Sequence, residues 1–218
     1  MSHLLRAYNL SHSFETTLYT DINLQVGEGE SIAILGVSGS GKSTILNNLS
    51  TLLKPKVGRV GLLDKDDIYA LSPKEQLLLR RLHIGIVFQA HYLFRGFSGV
   101  ENLKVASILS NKSIDNALLE SFGIDKVIHQ QIGELSGGQQ QRLSIARVLT
   151  KKPKIIFADE PTGNLDKQTA TQVMEILFSY IREHKAALIL ATHDKDIAYA
   201  CNRIYNLYDK TLCEVHTS

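Results

Sequence analysis

Along the chain, apolar positions fall into two kinds of pattern. The runs Ser31–Leu35, 84–88, 155–158 and 187–191 are almost continuously hydrophobic and end in polar or glycine-containing turns. Runs of this length suit parallel strands covered on both faces, with helical segments between them. Residues 4–9, 20–26 and 59–63 alternate more, which predicts an antiparallel sheet packed beside the parallel one. The stretches Arg203–Tyr208 and 211–216 predict a closing hairpin. Gly27-Glu28-Gly29 fits no dinucleotide fingerprint and reads as a turn before a strand.

Between Glu101 and Arg147 no strand pattern occurs, whereas residues 100–109, 114–122 and 139–149 carry apolar residues at helical spacing. This stretch lies between a strand ending at Gln89 and one beginning at Lys154. It therefore interrupts the α/β alternation and reads as an inserted helical subdomain over about residues 90–153. The expected architecture is a single α/β domain over residues 1–218. Its catalytic core comprises 1–89 and 154–218, with a mixed or parallel core sheet and an N-terminal antiparallel β subdomain.

Composition narrows the class without naming an activity. A length of 218 residues suits one folding unit, and 44% hydrophobic with 21% charged residues is ordinary for a globular protein. The net charge of +2 is small and its Lys and Arg are spread out, so nucleic acid is not an expected partner. No apolar run approaches the roughly 18 residues that span a bilayer, and the first residues lack a signal-peptide pattern. The chain is expected to stay in the cytosol. Cys201 and Cys213 lack C-x-x-C spacing and read as free thiols.

The segment Gly36-Val37-Ser38-Gly39-Ser40-Gly41-Lys42-Ser43 matches the phosphate-binding P-loop pattern. It follows the strand Ser31–Leu35 and precedes a helical run over 44–52, which is the context that pattern requires. Glycines let the backbone N–H groups turn inward on phosphate oxygens, and the helix presents its positive dipole end to the same anion. Lys42 is expected to reach the β- and γ-phosphates and Ser43 to ligate magnesium. A second segment, Lys154 to Glu160, is a buried strand ending in two acids. It lies beside the P-loop if its strand is adjacent in the sheet. Asp159 then suits the magnesium shell, and Glu160 is placed to polarise a water for in-line attack. Helix capping or a solvated turn is the alternative role for such a pair. No N-K-x-D stretch is present, because Asn164-Leu165-Asp166-Lys167 has a different order, which disfavours a GTPase.

Leu135-Ser136-Gly137-Gly138-Gln139-Gln140-Gln141-Arg142 closely resembles the signature motif of ATP-binding-cassette (ABC) ATPases. Other motifs of that family follow in order. Residues 159–166 look like a Walker B end and D-loop, Gln89 resembles the Q-loop glutamine, and His193 in Leu190-Ala191-Thr192-His193-Asp194 resembles the switch histidine. Phe14 lies 28 residues before Lys42, the spacing of the aromatic on which adenine stacks in this family. Tyr8 and Tyr19 are nearby aromatics, and packing is the alternative role for all three. The other seven His residues show no metal-ligand spacing.

The resemblance implies a P-loop NTPase of the ABC nucleotide-binding type, with ATP and Mg2+ as its ligands. It implies catalytic roles for Glu160, His193 and Gln89, and magnesium contacts from Ser43, Gln89 and Asp159. Nucleotide contacts are implied for Phe14, Gly36, Val37, Ser38, Gly39, Ser40, Gly41, Lys42, Ser43 and Thr44. Ser136, Gly138, Gln139 and Asp166 are implied to act from a second cassette packed head to tail, so that two composite sites form. The implied partners are that second copy and separately encoded integral membrane permease subunits, with the chain peripheral on the cytoplasmic face of the cell membrane.

Pro161 to Asp166, Gln89-Ala90-His91-Tyr92-Leu93 and Glu101-Asn102-Leu103 are similar to one bacterial group. It holds the lipoprotein-release ATPase, the MacB-type exporter cassettes and the cell-division ATPase, and residues 26–30 together with the stretch Gln89 to Leu93 look most like the first. The implied function is to power membrane subunits in lipoprotein release or related export; a cell-division or other non-transport role is the alternative. The segment from Phe94 to Gly99 departs from the group's common Pro-containing sequence, and the span 101–136 is shorter than usual for it.

Overall fold

The structure, a computed structural model, describes residues 3–215. Three strands, His3–Ser13 (β1), Thr17–Gly27 (β2) and Val57–Leu62 (β4), form an antiparallel sheet in the order β2-β1-β4. Buried and less buried residues alternate along most of β2, as a half-covered sheet requires. The second sheet has six strands. They are Ser31–Leu35 (β3), Ile84–Val87 (β5), Ile155–Asp159 (β6), Ala187–Thr192 (β7), Arg203–Tyr208 (β8) and Thr211–Val215 (β9). Their order is β5-β6-β7-β3-β8-β9, parallel throughout except for the antiparallel β8–β9 hairpin. The last position of the expected 211–216 strand, His216, lies outside the described residues.

Every residue of β7 is buried, which is why its sequence runs apolar without alternation. Residue parity still sorts the two faces. Ile32, Ile34, Phe157 and Ile189 pack into a core shared with the antiparallel sheet and the helix Lys42–Leu49 (α1). Ala33, Ala158, Leu188 and Leu190 pack into a second core with the helices Gly99–Ser110 (α3), Gly137–Thr150 (α5) and Lys167–Glu183 (α6). The sheet is thus the shared wall of two hydrophobic cores.

Between β5 and β6 the chain is helical apart from turns: α3, a short helix Asn116–Ser121 (α4), a 3-10 turn at Ile132–Glu134, and α5. The helices Pro73–Leu82 (α2) and Lys195–Tyr199 (α7) complete the fold. Three helices begin with reciprocal capping boxes: Ser72 with Glu75, Ser98 with Glu101, and Ser136 with Gln139. The helical run expected over 44–52 instead starts at Lys42 and ends at Leu49, where Ser50 caps it and Thr51 takes a left-handed φ of 71°.

One expectation is corrected by the topology. β6 is not adjacent to β3; β7 stands between them. The carboxylates at the end of β6 still reach the P-loop, because β3, β7 and β6 are parallel and in register, so their C-terminal ends form one edge.

Candidate functional site

At that edge β3 turns into α1 through a loop that only glycine can build at two points. Gly39 has φ 77°, and Gly41, the residue capping α1, has φ 106°. A Cβ on Gly36 would stand 2.8 Å from Ser40 Oγ and 3.2 Å from the Leu207 carbonyl oxygen. The loop is therefore held tight against β8. Lys42, 7% exposed, folds back so that Nζ donates to the carbonyls of Gly36 at 2.8 Å and Val37 at 3.0 Å.

Asp159 closes β6 half-buried opposite this loop. Burial pushes its carboxyl above the ordinary range and the negative charge of Glu160 adds to that, while a hydrogen bond from Ser43 and the Lys42 ammonium oppose the rise. Glu160 follows in a left-handed conformation with φ 45°, a strained setting for a residue with a Cβ. Its backbone N–H donates to the Ala191 carbonyl at 2.9 Å. Its side chain accepts from Thr192 Oγ1 at 3.2 Å and lies 2.8 Å from His193 Nδ1. A carboxylate only accepts, so that contact assigns the imidazole proton to Nδ1. The His193 side chain is 72% exposed, whereas that of Glu160 is 14% exposed. The carboxylate is fixed and the imidazole projects into solvent.

Val37, Ser38, Gly39, Lys42, Ser43, Gln89, Asp159, Glu160 and His193 line one cleft of about 420 Å³. A larger groove of about 870 Å³ continues from the phosphate loop past Gly36, Ser40, Thr16, Thr17, Leu18 and Tyr208. Phe14 sits 64% exposed in the β1–β2 turn, just ahead of the Thr16–Leu18 wall. Thr44 lies in the first turn of α1, outside the lining of either cleft.

Ser136, Gly138, Gln139 and Asp166 are not brought into the P-loop cleft of their own chain. Ser136 caps α5, its Oγ accepting from the Gln139 N–H at 3.3 Å while its own N–H donates to Gln139 Oε1 at 2.8 Å. Asp166 caps α6, accepting from Thr169 N–H and Oγ1. Those bonds hold its carboxyl below the usual range. The signature segment and the D-loop are nevertheless neighbours, since a Cβ on Gly138 would meet Leu165 Cδ2 at 3.5 Å.

The structure adds residues that motif spacing did not single out. Thr192 braces Glu160, and its Oγ1 also accepts from the Asp194 N–H at 3.1 Å. Gln141 Nε2 donates to the Pro161 carbonyl at 2.6 Å, tying α5 to the segment after Glu160. Ser144 and Arg147 donate to the carbonyls of His91 and Tyr92, tying α5 to the chain just past Gln89. His91 lies within a stretch notable only for group similarity, so no signal of chemistry marked it.

Comparison with known proteins settles the family. The ABC transporter family model matches residues 19–163. The chain belongs to the ABC transporter family. It is 39% identical over 193 residues to the lipoprotein-releasing system ATP-binding protein LolD of Rickettsia bellii (strain RML369-C), covering 86% of this chain and 85% of that one. It is 38% identical over 206 residues to the uncharacterized ABC transporter ATP-binding protein YbbA of Escherichia coli (strain K12), covering 92% and 90%. Among solved structures, the dimeric MJ0796, a bacterial ABC transporter cassette, superposes with a TM-score of 0.86 at 32% identity, covering 95% of this chain and 96% of that one. A second dimeric MJ0796 structure, a post-hydrolysis state bound to ADP and Pi, gives 0.85. The fold is that of an ABC cassette, and the chain is an ABC-type ATPase. No helix among the described residues of the cassette is long and apolar enough to cross a membrane.

Proposed function

We propose that this cassette hydrolyses ATP to drive separately encoded membrane subunits in lipoprotein release or a related export step. The observation that carries the catalytic reading is the Glu160–His193 contact of 2.8 Å, set in one cleft with Lys42, Ser43 and Asp159. Backbone N–H groups of residues 36–43 and the α1 dipole bind the phosphates. Lys42 leaves the Gly36 and Val37 carbonyls, which are weaker partners for an ammonium than a phosphate oxygen is. Hydroxyl, carboxylate and amide oxygens from Ser43, Asp159 and Gln89 are donors suited to Mg2+, which supplies charge neutralisation on the phosphates. Glu160 accepts the proton of the attacking water, and His193, held to Glu160 through its Nδ1–H, flanks the position of the γ-phosphate.

The cleft opens to solvent on the side that a second copy covers with Ser136, Gly138, Gln139 and Asp166. Residues of about 90–153 act as a helical subdomain that moves with Gln89. An apolar groove of about 490 Å³ between α2, β5, α3 and α5 is lined by Leu77, Ile84, Phe94, Val105 and Leu109, with Arg80, Arg81, Arg147 and Lys151 among its walls. That groove suits the membrane subunit, which keeps the cassette peripheral on the cytoplasmic face of the cell membrane.

Glu160→Gln tests the assignment. The amide keeps the shape and still accepts from Thr192, so ATP binding is expected to persist while turnover falls by about 10²-fold or more. Size-exclusion chromatography with ATP should then show a trapped dimer. Wild-type turnover in this variant defeats the assignment of Glu160. Co-purification of a multipass partner with a large extracytoplasmic domain supports the transport reading, and purely ribosomal or nucleic-acid partners defeat it.

A further inference from the structure

Beside the nucleotide groove, β1 buries an imidazole that the catalytic machinery does not use. His12 is 2% exposed, and neither ring nitrogen has a hydrogen-bond partner among the described residues. Buried polar groups are seldom left so, because each then bears its full desolvation cost. The contacts His12 does make are aromatic. Its ring stands edge-to-face against Phe14 with centroids 4.9 Å apart, and lies tilted 6.4 Å from Tyr19.

Those two neighbours face different parts of the site. Tyr19 is wholly buried, its hydroxyl bonded to Asn48 Oδ1 of α1, and its Cδ1 lies 3.4 Å from where a Cβ on Gly41 would stand. It braces the lysine end of the phosphate loop. Phe14 is largely exposed; its N–H donates to the Thr16 carbonyl at 3.2 Å, and His12 is the one ring recorded against it among the described residues. An exposed aromatic at a turn tip has several rotamers open to it unless a neighbour restricts them. His12 is placed to do so from beneath.

We propose that His12 is a positioning residue for the base end of the nucleotide site: neutral, it props Phe14 so that the free ring face stands ready for the purine, and protonation releases it. The inference rests on reading Phe14 as the adenine platform. An edge-to-face contact needs a ring of this size at position 12, but the slot offers an imidazolium no acceptor. Burial opposes the charge first, and Lys56, which precedes β4 and whose N–H donates to the Ser11 carbonyl, opposes it second. From β2 the facing titratable group is the Tyr19 phenol, kept protonated by burial. That phenol donates to the Asn48 amide oxygen of α1, which is not ionisable. No carboxylate contributes to holding a charge on His12. Its pKa therefore lies below the ordinary 6.5, and the cost of charging it appears as pH falls beneath that value.

The test measures dissociation constants of the purified chain for ATP and for inorganic tripolyphosphate, at about pH 7.5 and about pH 5.5. Tripolyphosphate engages the phosphate loop without a base, so it reports whether each variant retains a folded site. His12→Ala is expected to weaken ATP binding about three- to tenfold, the worth of an aromatic pair, and to leave tripolyphosphate affinity unchanged. His12→Phe keeps the ring and removes the proton. It should bind ATP like the wild type at the higher pH and lose less affinity on acidification than the wild type does. Phe14→Ala separates the two readings. Unchanged ATP affinity in that variant overturns the platform and the inference with it. A loss there, together with wild-type behaviour of His12→Ala and an unaltered acid response of His12→Phe, overturns the role of His12 alone. Equal loss of both ligands in His12→Ala and His12→Phe also overturns it, because the ring would then serve the phosphate loop rather than the base.

Discussion

Asp159 is an unfavourable side chain to hold in place without magnesium. Burial raises its carboxyl pKa, and the Ser43 hydrogen bond and Lys42 only partly oppose that. A carboxyl whose folded pKa exceeds its unfolded one gives stability below the unfolded value, which is lost as pH rises through the folded value. At neutral pH the nucleotide-free cassette therefore carries a cost at this position. Asp159→Asn should raise the melting temperature of the nucleotide-free chain and abolish the added stabilisation by magnesium and ATP. Thermal unfolding with and without both ligands reads this, and a lower nucleotide-free melting temperature in the variant contradicts it. Thr192 makes a second case. It is 1% exposed and braces Glu160, so Thr192→Val should lower kcat about tenfold with ATP affinity kept, measured as steady-state turnover against equilibrium binding. Two acids at the end of a buried apolar run mark Asp159 and Glu160, and resemblance to the family's switch histidine marks His193. Thr192 was not singled out, since a hydroxyl at the end of a buried strand acquires its role only when β6 lies beside it.

Among the helices, apolar spacing places the runs 100–109 and 139–149 on α3 and α5, whose first residues lie one and two positions earlier, where the caps set them. Ser136 with Gln139 and Ser98 with Glu101 form the same reciprocal cap at the heads of α5 and α3. The α2 cap is Ser72-Pro73-Lys74-Glu75, in a segment for which the sequence gives no helical expectation, since the consecutive Leu77, Leu78 and Leu79 show no helical period and only Leu79 is buried. Strand order was the illegible part. Nothing in the apolar run 187–191 says that it inserts between β3 and β6, because parallel neighbours are chosen by crossover connections and not by local pattern. The matched caps permit a controlled comparison. Removing either serine hydroxyl costs about 1 kcal/mol of stability through the lost cap. Ser98→Ala should lower the melting temperature with turnover nearly intact, since Ser98 is buried at the α3 head away from the phosphate cleft. Ser136→Ala should lower it no more, yet reduce turnover at least tenfold if, as proposed, the exposed Ser136 closes over a second copy's phosphates. Equal turnover in the two variants would reduce Ser136 to a helix cap.

At the scale of the molecule, the phosphate cleft and the signature segment belong to different sites. Within one chain Ser136, Gly138, Gln139 and Asp166 stay outside the cleft that holds Lys42, and the side chains of Ser136, Gln139 and Asp166 are already engaged in capping α5 and α6. In the proposed pairing, a two-fold arrangement would set each signature segment over the partner's phosphate loop, and its self-complementarity would make both sites at once. The dimeric MJ0796 structures show that a cassette of this fold pairs. The arrangement predicts complementation between two inactive chains. Lys42→Ala destroys the phosphate side and Ser136→Arg the signature side, so each variant alone forms dimers with both sites broken. Mixing them creates hybrid dimers in which the intact Lys42 of one chain meets the intact Ser136 of the other. With random pairing about half of the dimers are hybrids, each with one working site, so turnover should recover to about a quarter of the wild-type level. Sites built within single chains allow no recovery at any mixing ratio, since every chain then carries a broken site of its own. Recovery that rises and falls with the ratio, peaking at equal amounts, would show that two copies of this chain share the chemistry and that its P-loop holds only half of each site.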